Sequence, residues 1–395
     1  MIKQSNKTKT YVLLFAVTYM ISYITRINFG AIISEIEHST NISKQLLSAA
    51  LTGSFITYGA GQVISGFFGD RISPKKLILY GLGVTALMNI LIPLCKTPLQ
   101  MTVVWSVNGF AQAFMWPPMV RLMVVLIPPE SYSDEVVKIS WGGSAGTMAV
   151  YLFSPVIISF MGWKSVFFVC AFAGALMMLI WKSKCPDISV TVVKKSDVKV
   201  KKASFITPVF VCIMIAIVLQ GMLRDGVTTW MPSYISETYG ISNAISILSG
   251  AVLPVFNIIC CYAANKIYTA KFKNHVLCAG SIFAAGAVSA ALLLVSFGKN
   301  PVYSVLFVAV LTGCMHGVNM LLTCITPVHF AKDGNVSIVS GITNACTYIG
   351  SAISTYGVAV VTESFGWRIT SIMWFLTAAA GTVICLVAAR RYKIQ

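Results

Sequence analysis

Two arginines stand inside apolar stretches at corresponding places in the two halves of the chain, Arg26 in YITRINFG and Arg224 in GMLRDGVT. A guanidinium at bilayer depth costs at least about 2.5 to 3.5 kcal/mol on insertion scales and is not discharged by losing its proton, so it persists only beside a partner or a wet cavity. Two such charges facing one cavity make an anion site. Tyr19, Tyr23 and Arg26 are spaced i, i+4 and i+7, which places two phenols and a guanidinium on one helix face. Gln112 and Trp116 are related by the same four-residue step. Asp225 follows Arg224 directly; neighbours on a helix point apart, so it need not neutralise the arginine and could tune it or bind a coupling proton.

The elements that must position these residues are membrane spans. Of the 395 residues 57% are hydrophobic and 10% charged, and the mean hydropathy is +0.81, which excludes ordinary soluble domains. The apolar runs are continuous rather than alternating, so helices are expected and a β-barrel is not. The first run follows Lys3, Lys7 and Lys9 and is too long for a cleaved signal peptide. Twelve spans are expected, at about 11–33, 45–68, 77–95, 101–127, 136–160, 164–181, 205–235, 244–267, 276–297, 302–330, 336–361 and 369–389.

With both termini in the cytoplasm, the inside segments would hold 21 Lys and Arg residues and the outside loops five, Lys44, Lys96, Lys164, Lys299 and Arg368. That bias orients the chain and explains its net charge of +17 as a topology signal, not a nucleic-acid surface. Only Arg26, Arg121 and Arg224 remain within spans, and Arg121 is expected to be a structural partner of Asp70 or of helix ends. The eleven cysteines follow no metal or disulfide spacing and act as small hydrophobes. No nucleophile–base pair, phosphate-cradling glycine loop or metal-ligand cluster occurs, so an enzyme, a cofactor and a metal are not expected.

A polar stretch, KSKCPDISVTVVKKSDVKVKK, separates six spans from six. The expected organisation is a six-helix bundle at 1–181, a cytoplasmic linker at 182–204 and a second bundle at 205–395. Across the linker the halves repeat: Arg26 and Arg224 are 198 residues apart, GFFGDRISPKK and CYAANKIYTAK 195, and FMGWK and SFGWR 204. Parallel halves related by an axis along the membrane normal put a substrate at their interface near the midplane.

GFFGDRISPKK resembles the cytoplasmic signature of the major facilitator superfamily, G-x-x-x-D-[RK]-x-G-x-[RK]-[RK], with Ser73 at the turn glycine and Asn265-Lys266 at the acid–base pair of the second copy. The resemblance implies an all-α fold of twelve transmembrane helices in two pseudo-symmetric bundles, with Asp70 and Arg71 in a cytoplasmic gate. More narrowly, YITRINF, TYGAGQVISGFFGDR, NGFAQAFMWPPMVR, LRDGVTTWMPSY and CTYIGSA resemble segments of the organophosphate:phosphate antiporters, which include glycerol-3-phosphate and hexose-phosphate exchangers. In that family two arginines matching Arg26 and Arg224 bind phosphate; the matching aromatic and polar positions are Tyr19, Tyr23, Tyr58, Gln112, Trp116 and Tyr348.

The chain departs from the family where Ile27 and Gln62 replace lysines and where residues 142–146 lack a histidine, while His316 stands at a family tyrosine. Its pocket is therefore less basic. The expectation is a monomeric multi-pass carrier in the cytoplasmic membrane that exchanges a phosphate ester for inorganic phosphate. A proton-coupled carboxylate symporter and a transporter-like sensor of sugar phosphate are the alternatives. Export of cationic drugs fits poorly, because Asp225 is the sole carboxylate expected within a span.

Overall fold

Continuous apolar runs bounded by Pro, Asn and Thr become long helices with built starts. The computed structural model describes residues 2–69, 72–128, 131–187, 207–272, 274–326 and 336–391, and the chain divides into two compact units, Met1–Lys194 and Lys195–Gln395. Among the described residues the regular structure is helical throughout.

The first unit contains α1 (Ile2–Ala31), α2 (Ile33–Thr40), α3 (Lys44–Gly69), α4 (Pro74–Leu91), α5 (Pro98–Gln112), α6 (Trp116–Leu126), α7 (Tyr132–Met161) and α8 (Trp163–Lys184). The second contains α9 (Pro208–Gly221), α10 (Val227–Tyr239), α11 (Asn243–Ser249), α12 (Val252–Lys271), α13 (His275–Val295), α14 (Pro301–Asn319) and α15 (Val336–Arg391). Ten described stretches are long and apolar enough to cross a membrane. The last of them, Gly341–Arg391, is broken at Gly366 into two helices, and α3 adds a span without acid or base after Lys44, which makes twelve crossings.

Corresponding features recur in the two units. Thr97 caps α5 and is followed by Pro98, and Asn300 caps α14 and is followed by Pro301; each side chain accepts a backbone N–H that the first turn would otherwise leave unpaired. Gly162, between α7 and α8, has φ 77°, and Gly366 has φ 75°. A residue with a side chain would be strained at either turn. The two glycines lie 204 residues apart, the spacing of the FMGWK and SFGWR repeats that contain them.

The helices bearing the arginines pack closely on small residues. A Cβ added at Gly142 or Gly146 of α7 would collide with the α1 carbonyls of Ala16 and Met20, and one at Gly350 of α15 with the α9 carbonyl of Val218. Gly146 and Gly350 again lie 204 apart. Small residues let helix backbones approach where no hydrophobic force drives association in lipid. The core of the first unit gathers Phe15, Ile78, Leu82, Met119, Met123 and Trp181, whereas Phe160, Phe172 and Leu99 are exposed in the manner of a lipid-facing surface.

The span expected at 101–127 departs from a single rod. Pro117 and Pro118 lack backbone donors and crowd the preceding turn, so α5 ends at Gln112 and Ala113, Phe114 and Met115 form tighter i→i−3 bonds. In the second unit the corresponding break is a π segment, Met320–Ile325, continuing α14.

Candidate functional site

In the first unit the i, i+4, i+7 spacing on α1 produces a stacked aromatic wall. Tyr19 and Tyr23 meet edge to face at 4.9 Å and their hydroxyls lie 3.3 Å apart, while Tyr19 packs on Trp116 at 4.6 Å. The Arg26 guanidinium lies 4.2 Å from the Tyr23 ring centre and 5.0 Å from that of Tyr58 on α3. Two aromatic rings thus flank a partly buried cation. Gly143 of α7 faces these rings: a Cβ there would come within 2.9 Å of Tyr23 and 3.1 Å of Tyr19. This gives a physical reason for residues 142–146 carrying no histidine, since the glycines are spent on backbone and ring contact.

The peptide preceding Arg26 is clamped. The Thr25 carbonyl accepts the amides of Asn89 at 3.0 Å and Asn108 at 3.2 Å, and the Thr25 hydroxyl accepts Gln112 at 3.0 Å. Gln112 also accepts the Ser22 hydroxyl at 2.9 Å and is buried. The Gln112 amide joins α5 to α1 and fixes the turn that carries Arg26. Burial demands such pairing, because an unsatisfied amide in a low-dielectric interior is costly.

In the second unit Arg224 and Asp225 lie on a π turn, Met222–Gly226, between α9 and α10. A π turn holds an extra residue, and such bulges gather at functional sites. Here the adjacent side chains meet, contrary to the divergence expected of a regular helix. Arg224 Nε donates to Asp225 Oδ1 at 2.8 Å and Nη2 to Oδ2 at 2.7 Å. The side chains retain 12% and 20% of their exposure. The Ser351 hydroxyl of α15 donates to Oδ2 at 2.5 Å, the Tyr348 ring lies 5.9 Å from the guanidinium, and His316 of α14 is close enough for both charges to act on it. Just before the π turn, the Gln220 amide reaches the Met315 carbonyl of α14 at 3.1 Å.

The structure therefore brings Tyr19, Tyr23, Tyr58, Trp116 and Arg26 together in one unit, and Arg224, Asp225, His316 and Tyr348 in the other. Asp70 and Arg71 lie outside the described residues. Arg121 is on α6, and its expected partner Asp70 likewise falls outside them. Ser351 and Thr25 were not singled out from sequence. Ser351 stands i+3 from Tyr348, a spacing that could have found it; Thr25 had no signal beyond adjacency to Arg26.

Apolar helices in this number, with cations built into their interiors, define a multi-pass membrane protein. Residues 15–355 match the family model of the Major Facilitator Superfamily, and the chain belongs to that superfamily. It is 24% identical over 383 residues to the glycerol-3-phosphate transporter of Bacillus subtilis (strain 168), with 88% of this chain and 84% of that protein covered. It is 21% identical over 394 residues to the membrane sensor protein UhpC of Salmonella typhimurium, covering 92% and 87%. The resemblance to the organophosphate:phosphate antiporters is thus carried along nearly the whole chain. In fold it is similar to the crystal structure of a bacterial homologue of the human lysosomal transporter Spinster in an inward-facing, occupied conformation, with a TM-score of 0.82 at 12% identity over 98% of this chain and 97% of that one.

Proposed function

We propose that this protein carries a small organic anion, a phosphate ester, across the cytoplasmic membrane in exchange for inorganic phosphate, with Arg26 and Arg224 both binding the anion. The observation that carries the reading is Arg26, held by its faces on Tyr23 and Tyr58 within a membrane span. A guanidinium gripped in that way binds phosphate oxygens through its in-plane N–H groups. The glycerol-3-phosphate transporter relative supports the substrate class. Tyr19, Trp116 and Tyr348 complete the aromatic lining, and Asp70 and Arg71 are assigned to a cytoplasmic gate. Transport is by alternating access, with residues 1–181 and 205–395 as the two bundles and 182–204 as the linker; both termini are cytoplasmic and the working unit is a monomer.

Exchange follows from electrostatics: an arginine stripped of water is costly, and a bound anion offsets that cost. A second reading, proton-coupled uptake of an organic anion, is favoured by Asp225 in the fork of Arg224. Reconstituted vesicles separate the two. Labelled glycerol 3-phosphate is expected to enter vesicles loaded with phosphate and to enter empty vesicles much more slowly; equal rates would discard obligatory exchange and leave the proton-coupled mode. Stoichiometric binding without uptake under either gradient would make the protein a sensor.

A further inference from the structure

We propose that Asp225 is an internal stand-in for the substrate: it occupies the fork of Arg224 in the empty protein, gives way when the anion binds, and takes up one proton as it does so. The inference rests on the anion reading above and deepens it. The contact is one that a phosphate or carboxylate ligand would itself make, two parallel N–H···O bonds of 2.8 and 2.7 Å to the two oxygens of one carboxylate. An anion that approaches the same Nε–Nη2 edge must displace the carboxylate, and it is at this edge, not the opposite Nη1–Nη2 one, that the exchange is proposed.

The surroundings provide for the displaced, neutral carboxyl. Ser351 lies 2.5 Å from Asp225 Oδ2 and 2.9 Å from the Thr347 carbonyl. With Asp225 ionised, the serine hydroxyl donates to the carboxylate. With Asp225 protonated, the acid donates to Ser351 Oγ and the serine hydrogen turns to Thr347. Both states keep their hydrogen bonds, so the neutral acid has a place prepared for it. The groups acting on Asp225 are Arg224 on its own π turn, Ser351 from α15 and His316 from α14; the Tyr348 ring of α15 faces Arg224, and Arg224 in turn acts on Cys261 of α12. An ionised Asp225 deprived of Arg224 would be an uncompensated charge within a span, and neutralisation by a proton from water removes that cost. The loaded site then carries the anion together with a proton, in exchange and in net uptake alike.

The test is calorimetry on the full-length protein in detergent, with sulfate and inorganic phosphate as probes, in two buffers of different ionisation enthalpy. Sulfate does not titrate near neutrality, so the protons it brings in belong to the protein. The wild type is expected to take up about one proton per sulfate bound and to bind it more tightly as pH falls. Asp225→Asn is expected to take up none and to bind sulfate about tenfold more tightly at neutral pH. If only phosphate binds, the difference in proton count between the two proteins decides. Should the variant fail to fold, the wild-type proton count with sulfate still decides, or, where only phosphate binds, the count beyond that from phosphate's own titration. No proton uptake by the wild-type protein, or weaker binding by a folded Asp225→Asn, overturns the inference alone. A wild type that binds neither probe overturns the anion reading and this inference with it.

Discussion

The two arginines are held by opposite means. Arg26 sits on an unbroken α-helix, and ring faces supply its negative potential. Arg224 sits on a π turn, and a full carboxylate supplies it. Beside one, ring faces from α1 and α3 approach the cation; beside the other, a carboxylate from the next residue does. The difference teaches that a repeated scaffold can present the same cation with unequal electrostatic commitment. A ring face weakens little when an anion arrives in the guanidinium plane, whereas the Asp225 carboxylate competes for the Nε–Nη2 edge it occupies.

Removing either cation is the harshest way to break the comparison. Arg26→Ala and Arg224→Ala are each expected to lower transport of a phosphate ester by about a hundredfold or more, since a charge-assisted bidentate contact is worth roughly 3 kcal/mol. Vesicle uptake checks this, and retention of normal uptake by either variant would remove that arginine from the site. Next come the glycine seams: Gly146→Leu and Gly350→Leu should each destabilise the protein by about 2 kcal/mol through overpacking against a facing backbone. The melting temperature of detergent-purified protein reports it, and unequal losses would show that the two seams are not equivalent.

A smaller effect separates the two aromatic settings. Tyr58→Leu should raise the KM for substrate about fivefold, the value of roughly 1 kcal/mol of cation–π attraction, and Tyr348→Leu less, because its ring is farther from the cation. Equal effects would argue that ring distance does not matter. Smallest of all, Gly143→Ala places a methyl against the Tyr19 and Tyr23 rings. Rings can tilt away, so only about a twofold change in KM is expected, worth roughly 0.4 kcal/mol, with unchanged melting.

Most of the fold was legible because lipid imposes it: a span must be apolar along its whole length, so hydropathy alone marks where helices lie. The glycine turns at Gly162 and Gly366 were likewise visible as repeated GW motifs. The aromatic wall followed from spacing on one helix. What spacing could not show was the partner chosen across helices. That Ser22 and Thr25 are the partners of Gln112 had no signal in the spacing. The π turn was hidden because GMLRDGVT contains nothing that distinguishes one extra residue per turn from a regular helix. That single local deviation reversed the expected relation between Arg224 and Asp225, and with it the role of Ser351.

The adjacency of Arg224 and Asp225 also bears on how the chain is made. Partners one residue apart can find each other as soon as their own segment forms a turn, before another helix has arrived. That segment can enter the bilayer from the insertion machinery with its charge already matched. Arg26 at the same moment has Tyr23 on its own helix and must wait for α3 to deliver Tyr58. The Tyr58 contact therefore depends on the order of helix arrival, whereas the Asp225 contact travels with its own segment.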